Sequence, residues 1–94
     1  MTKMELDHPL EKLFRGSRKT LRVLRVLALA HKPMSKYSIE AQAAVYDTEK
    51  LLAHLVDIGV VKVIDGHIKR YTLNQENSVV NAVLRLMKDV GYLE

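Results

Sequence analysis

Arginines at helical spacing are the first residues of this chain whose types and positions indicate chemistry. Arg15, Arg18, Arg22 and Arg25 follow one another at steps of three, four and three residues. Side chains three or four residues apart share one face of a helix, so at least the last three arginines form a stripe. Such a stripe either lies in water as a solvated face or contacts the phosphates of a nucleic acid.

The charge distribution favours a polyanion-binding region at the start of the chain but not in its middle. The 94 residues carry a formal net charge of +4. Residues 1–36 hold nine lysines and arginines against three acids, whereas residues 37–60 hold one lysine against four acids. Residues 61–76 carry a net charge of +1, and residues 77–94 are neutral. The basic start of the chain is therefore followed by an acidic middle.

The residues that serve most enzymes and metal centres are missing or scattered. The chain has no cysteine, and its histidines, His8, His31, His54 and His67, fall in four different predicted elements. His54 and Asp57 are three residues apart on one helix, but two ligands alone do not make a metal site. No glycine-rich phosphate loop and no GxSxG motif is present. We therefore expect no metal, no cofactor and no enzymatic activity.

Composition indicates one globular, cytoplasmic domain. Hydrophobic residues make up 48% of the chain and charged residues 28%, which is typical of a folded protein. The longest apolar run, residues 26–30, is too short to cross a membrane. The first residues lack the layout of a signal peptide. We therefore expect no membrane contact.

Capping residues predict the first two main helices. Ser17 is placed to begin a helix that runs from residue 18 to about residue 30, and Pro33 stops it. Ser35 then begins a second helix that runs through Ala43. The broad apolar side of the first helix predicts burial on more than one side.

A third helix, residues 47–58, and a β-hairpin follow a tight turn at residues 44–46. The third helix is capped by Asp47 or Thr48 and ends at Gly59. Residues 60–73 consist of two β-rich runs around Asp65-Gly66, a sequence that favours a two-residue type I′ turn. Such a turn pairs Ile64 with His67, Val63 with Ile68, and Lys62 with Lys69. Two opposed lysines either hold an anion between them or splay into water.

The last predicted helix is apolar on nearly two sides. It is capped by Asn77 or Ser78 and runs to about residue 90. One apolar side is expected to pack on the first helix, and the other either meets a second copy of the chain or is covered by the N-terminal segment. We favour a homodimer whose interface is formed by Val79, Val80, Val83, Leu84, Leu86, Met87 and Val90.

Helix, turn, helix, glycine stop and hairpin form the layout of a winged helix-turn-helix. The predicted fold class is thus mainly α with a β-hairpin, a winged helix-turn-helix with an additional C-terminal helix. Residues 1–16 form an N-terminal segment with a short helix, residues 17–76 the winged helix-turn-helix, and residues 77–94 the C-terminal helix used for packing and dimerisation.

The span from about Leu13 to Leu93 resembles small archaeal winged-helix DNA-binding proteins, within the wider group of bacterial and archaeal winged-helix transcriptional regulators. Residues 14–19, Phe-Arg-Gly-Ser-Arg-Lys, are similar to the opening of the first helix of that group. Residues 35–39, Ser-Lys-Tyr-Ser-Ile, are similar to the start of the second helix, and residues 51–61 to the recognition helix running into the wing.

The resemblance implies that helix 47–58 enters the major groove of DNA and that wing 60–73 touches the adjacent backbone or minor groove. It places Thr48, Glu49, Lys50, Ala53 and His54 at the bases. It places phosphate contacts at Ser35, Lys36, Tyr37, Lys62, His67, Lys69 and Arg70, with Arg18, Lys19 and Arg22 extending the footprint.

The predicted recognition helix contains few of the side chains that usually read DNA bases. Guanine is usually read by arginine or lysine and adenine by asparagine or glutamine, and this helix offers only Lys50. Our first hypothesis is therefore sequence-tolerant or sequence-specific binding of double-stranded DNA by a dimeric transcriptional regulator. The alternative is a winged-helix protein-interaction module in a transcription or replication assembly, and a third hypothesis is RNA binding through the basic first helix.

Overall fold

The structure, a computed structural model, describes residues 8–93 and is mainly helical with a small antiparallel sheet. This confirms the predicted combination of helices and a hairpin. The first seven residues of the predicted N-terminal segment and Glu94 lie outside the described residues. The elements are α1 (Pro9–Leu13), a 3-10 turn (Arg15–Ser17), α2 (Arg18–Leu29), β1 (Met34–Ser35), α3 (Lys36–Ala43), α4 (Glu49–Asp57), β2 (Val61–Ile64), β3 (Arg70–Leu73) and α5 (Ser78–Asp89).

Local capping explains where α3 begins and where α3 and α4 end, whereas Ser17 and Thr48 make no side-chain cap hydrogen bond to α2 and α4. The Oγ of Ser35 accepts a hydrogen bond from the Ser38 amide at 3.2 Å, which caps α3. Helix α3 ends at Ala44, whose φ of 57° is left-handed. Gly59, with a φ of +81°, ends α4 as the sequence predicts. These are short-range signals, so the helix bounds agree closely with the sequence prediction.

The three strands form an antiparallel sheet in the order β1-β3-β2. The short strand β1, which the sequence did not indicate, pairs Met34 with Tyr71 and Ser35 with Arg70. The two hairpin strands β2 and β3 are joined by the five residues 65–69. Their pairs are Val61 with Leu73, Lys62 with Thr72, Val63 with Tyr71, and Ile64 with Arg70.

This register shows that the predicted two-residue turn is wrong. Gly66 is not among the described glycines with positive φ, as a type I′ turn would require. The predicted register would pair Val61 with Arg70, whereas the observed one pairs two core residues, Val61 and Leu73. Burial of one face sets a strand register more strongly than turn chemistry does. The opposition of Lys62 and Lys69, and any argument based on it, is thereby removed.

The core has two parts that meet around Leu24 and Leu84 of α2 and α5. The larger part lies between helices α2 to α5 and the sheet. Its buried members are Val23, Val26, Leu27, Met34, Ile39, Ala43, Leu52, Leu55, Val61, Leu73 and Val80. The smaller part consists of Leu10, Leu21, Met87 and Tyr92, so α1 covers one end of α5.

A pair of asparagines joins the end of α4 to the start of α5. The carbonyl oxygen of Gly59 accepts hydrogen bonds from the Nδ2 atoms of Asn74 and Asn77, both at 2.9 Å. The Oδ1 of Asn77 accepts from the amides of Val79 and Val80 at 2.8 and 3.3 Å. One side chain thus caps α5 and holds it to the glycine that ends α4.

Replacing Asn77 by alanine is expected to lower the free energy of unfolding by about 1–2 kcal/mol, because the α5 cap is lost. Urea unfolding followed by circular dichroism measures this. Ser78→Ala, at the exposed next position, serves as the control and is expected to change stability by less than about 0.5 kcal/mol. Equal effects of the two substitutions would contradict the capping role of Asn77.

Candidate nucleic-acid interface

The hairpin, the start of α3 and the start of α4 meet at one edge of the molecule. Ser35 pairs with Arg70, which places the base of β3 beside the first residues of α3. The Nζ of Lys36 lies 3.9 Å from Oε1 of Glu49, which joins the starts of α3 and α4. Three elements that are separate in the sequence therefore share one continuous surface.

The outward side of α4 is open to solvent. Glu49, Lys50, Ala53 and His54 are exposed, while Leu52 and Leu55 face the core. A groove of about 650 Å³ runs in front of the helix, lined by Lys36, Asp47, Glu49, Lys50 and Ala53. The helix thus presents a short row of polar side chains that no packing function occupies.

Thr48 is not part of this open side. Its exposed fraction is 0%, and its amide and Oγ1 donate to the Oε2 of Glu40 at 2.9 and 2.8 Å. The predicted contact between Thr48 and a base is therefore ruled out in this conformation. Thr48 and Glu40 instead fasten the first turn of α4 to α3.

One of the four acids of residues 37–60, Glu40, takes part in this contact between α3 and α4. The hydrogen bonds from the Thr48 amide and hydroxyl, aided by Lys36 and Lys19, outweigh desolvation and lower the pKa of Glu40 below its ordinary value. Glu49 lies against Lys36. Glu40 thus stays ionised and keeps its negative charge, whereas Lys36 partly offsets the charge of Glu49.

The start of α3 and the hairpin contribute further polar groups to this surface. Tyr37 is exposed, and Lys36 lies over its ring with Nζ 5.0 Å from the centroid. The hydroxyl of Ser35 is engaged as the α3 cap. The hairpin exposes Lys62, His67, Lys69 and Arg70.

A basic cleft continues this surface toward the start of α2. The Nζ of Lys19 donates to the carbonyl oxygen of Asp47 at 3.5 Å, which ties α2 to the turn before α4. The cleft is lined by Arg15, Gly16, Arg18, Lys19, Arg22 and residues 44–47. Because Asp47 also lines the groove in front of α4, cleft and groove are adjacent.

The guanidinium of Arg22 is directed inward to Glu11 rather than outward along the predicted stripe. Its Nε and Nη2 donate to Oε2 and Oε1 of Glu11 at 3.1 and 3.2 Å. The hydroxyl of Tyr92 donates to the same carboxylate at 2.5 Å. Arg25 lies over the Tyr92 ring, with Cζ 4.7 Å from the centroid. Arg22 and Arg25 therefore hold α1 and the C-terminal tail on α2, which removes them from the predicted phosphate-facing stripe.

Glu11 is a buried charge whose neighbours keep it ionised. Burial raises the pKa of Glu11, but hydrogen bonds from Arg22 and Tyr92 and the charges of Arg22 and Arg25 outweigh burial, so the pKa lies below its ordinary value of 4.5. Burial and the adjacent Glu11 raise the pKa of Tyr92 well above its ordinary value. The phenol thus stays protonated and keeps donating to the carboxylate.

Two acids, Glu11 and Glu40, have structural roles that the sequence pattern does not predict. Each lies far from its partner in sequence, since 81 residues separate Glu11 from Tyr92 and eight separate Glu40 from Thr48. The available signal for Glu11 was indirect, namely an acid beside a helix that carries unbalanced arginines. No local pattern indicated Glu40.

The predicted dimer residues divide into two groups. Val80 and Met87 are buried in the core of the single chain, and Leu84 packs against both core clusters. Val80 and Met87 therefore expose almost nothing to a second copy, at 4% and 0%. The predicted interface residues that remain at least partly accessible are Val79, Val83, Leu84, Leu86 and Val90.

Comparisons with models of protein families, with curated protein sequences and with solved structures find no match to this chain. Within residues 8–93, no helix has the length and apolar character needed to span a membrane. In the same residues, no three side chains among histidine, aspartate and glutamate come together in a way that could hold a metal ion.

Proposed function

We propose that the chain is a winged helix-turn-helix protein that binds double-stranded DNA as a dimeric transcriptional regulator. Helix α4 would enter the major groove, and hairpin β2–β3 would act as the wing on the adjacent backbone. The observation that carries the proposal is the shared edge at which Arg70, Ser35, Lys36 and Glu49 bring hairpin, α3 and α4 together.

The positions of the charges support backbone binding more than base reading. Lys50 and His54 are the groups on α4 that can donate to a base edge, and Glu49 can accept from cytosine. In contrast, exposed cations lie in the hairpin and in the cleft at the start of α2, which adjoins the groove in front of α4. Phosphate contacts supply affinity without sequence information. We therefore propose binding that is largely sequence-tolerant.

A salt series tests the proposal directly. The parent chain and a Lys69→Ala, Arg70→Ala double variant are titrated onto a random duplex at increasing salt, followed by fluorescence anisotropy. Each lost phosphate contact lowers the slope of log affinity against log salt by about 0.9. The double variant is thus expected to lose about two units of slope and roughly tenfold to a hundredfold in affinity at ~0.1 M salt.

The matched control removes the same charge from a different surface. Arg85 and Lys88 are exposed on α5, outside the proposed interface, so Arg85→Ala with Lys88→Ala is expected to leave the slope nearly unchanged. Equal losses in both double variants would indicate attraction by net charge alone. No binding of the parent chain at ~50 mM salt, where non-specific contacts are strong, would refute DNA binding.

One observation favours the alternative of a protein-interaction module. The open side of α4 exposes two carboxylates, Glu49 and Asp57, against one lysine, Lys50. A helix with this face is suited to a basic patch on another protein. Under that alternative the salt series fails, and substitutions of Glu49 and Asp57 rather than of the hairpin lysines change partner binding.

A further inference from the structure

Helix α5 has an apolar row on its outer side with the spacing of a coiled-coil seam. The row consists of Val79, Val83, Leu86 and Val90, at steps of four, three and four residues. Val79 is 60% exposed and Leu86 and Val90 are each 43% exposed, whereas Val83 is half-buried. A repeat of 3.5 residues keeps such a row facing one partner helix. These four residues form the α5 seam.

An apolar groove lies beside the first half of the seam. It has a volume of about 190 Å³ and is walled by α2, α4, the ends of the hairpin and α5. Val79 and Val83 line it, and so do Leu55 and Ile58 of α4. Its remaining lining residues are Thr20, Leu24, Val60, Leu73, Val80 and Leu84.

Only the first half of the seam borders the groove. Val79 and Val83 line it, whereas Leu86 and Val90 are exposed without lining it. A two-fold interface uses the same patch on both subunits and must be complementary to itself. One patch that carries both a groove and the side chains to fill it meets that requirement.

We propose that a second copy of this chain binds with its α5 antiparallel to the first, so that Leu86 and Val90 of each copy cover the groove of the other. The two-fold axis then passes near the midpoint between Val83 and Leu86. Val79 of one copy lies near Val90 of the second copy, and Val83 lies near Leu86. A parallel pair would place Val79 against Val79 and leave both grooves open. The inference rests on the dimer of the proposed function and specifies its geometry.

The groove also accounts for how so short a helix supports a dimer. A helix of 12 residues is about 18 Å long, and two such helices alone bury less than the roughly 800 Å² per partner of a stable interface. Contact with the groove adds the side chain of Ile58, which is half-exposed at the end of α4, to the buried interface area. The seam carries no charge, so it selects neither a basic nor an acidic partner.

This geometry connects dimer formation to the candidate DNA interface. Leu55 belongs to the same helix as Lys50 and His54 but faces the other way, and Ile58 directly follows that helix. A second copy seated on the groove therefore contacts the back of α4. Dimer formation would set the orientation of the two α4 helices relative to each other.

Cross-linking between two single-cysteine variants tests the antiparallel arrangement, because the chain contains no cysteine of its own. Val79→Cys and Val90→Cys are prepared separately, mixed and oxidised mildly. We expect a disulfide-linked product that joins one variant to the other, in clear excess over products that join either variant to itself. Preferential self-linking of each variant would overturn the antiparallel geometry.

Light scattering on a Leu86→Asp variant provides the second measurement. Leu86 is partly exposed in the single chain, so the variant is expected to fold and to raise the dimer dissociation constant by at least about tenfold. Lys88→Gln changes the charge of α5 by the same amount away from the seam and is expected to remain dimeric. A parent chain that is monomeric at ~100 μM would overturn this inference, and the DNA salt series would still decide the proposed function separately.

Discussion

Replacing Arg22 by methionine is expected to lower the free energy of unfolding by about 3 kcal/mol at pH 7. Arg22 makes two hydrogen bonds to a Glu11 side chain that is 2% exposed. Removing one partner of a buried ion pair leaves a charge without compensation. Methionine keeps the aliphatic stem, so lost packing contributes little. Chemical unfolding followed by circular dichroism measures the loss.

The loss is a large share of the total stability. A chain of 94 residues is stable by roughly 5–14 kcal/mol. Arg18→Met is the matched control, because the Arg18 side chain is 51% exposed and its Nε lies 3.9 Å from Glu11. We expect it to cost less than about 1 kcal/mol. Comparable losses in the two variants would show that Arg22 has no special role.

The pH dependence of the Arg22→Met effect provides a second readout. In the parent chain the lowered pKa of Glu11 contributes stability above pH 4.5, and this contribution is lost as the pH falls through the folded-state pKa. Without Arg22, burial favours the protonated acid. The difference between parent and variant is therefore expected to be largest near pH 7 and to shrink below pH 4.5. A difference independent of pH would indicate lost packing instead.

The contacts of Glu11 with Arg22 and Tyr92 illustrate which features of the fold the sequence predicts and which it does not. Helix bounds depend on caps such as Ser35 and on Gly59, which act within a few residues, and the structure places them as predicted. The Glu11–Tyr92 hydrogen bond spans 81 residues and depends on how α1 and the C-terminal tail meet. No periodicity in the sequence indicates such a contact, and the spacing of the arginines alone points to solvent or phosphate.

The candidate site shows the same division. Exposure of Lys50 and His54 follows from the helical period of α4, and it is found. Burial of Thr48 follows from a hydrogen bond to Glu40 on another helix, and the hairpin register follows from burying Val61 opposite Leu73. Both depend on tertiary contacts that override a local preference.

Replacing Leu52 by alanine is expected to lower the free energy of unfolding by about 2–5 kcal/mol. Its exposed fraction is 0%, and it belongs to the larger core cluster with Ile39 and Leu55. Lys50, two residues earlier, is exposed, so Lys50→Ala is expected to change stability by less than about 0.5 kcal/mol. Urea unfolding of both variants measures the contrast.

DNA affinity is expected to respond in the opposite order. Lys50→Ala removes a cation from the open side of α4 and should weaken binding, whereas Leu52→Ala, measured at a temperature where it remains folded, should bind as the parent chain does. The pair thus separates the face of α4 that packs in the core from the face that is proposed to meet DNA. If Leu52→Ala weakened binding while Lys50→Ala did not, α4 would contribute to the interface only through its packing. The hairpin and the basic cleft would then be left as the DNA-contacting elements.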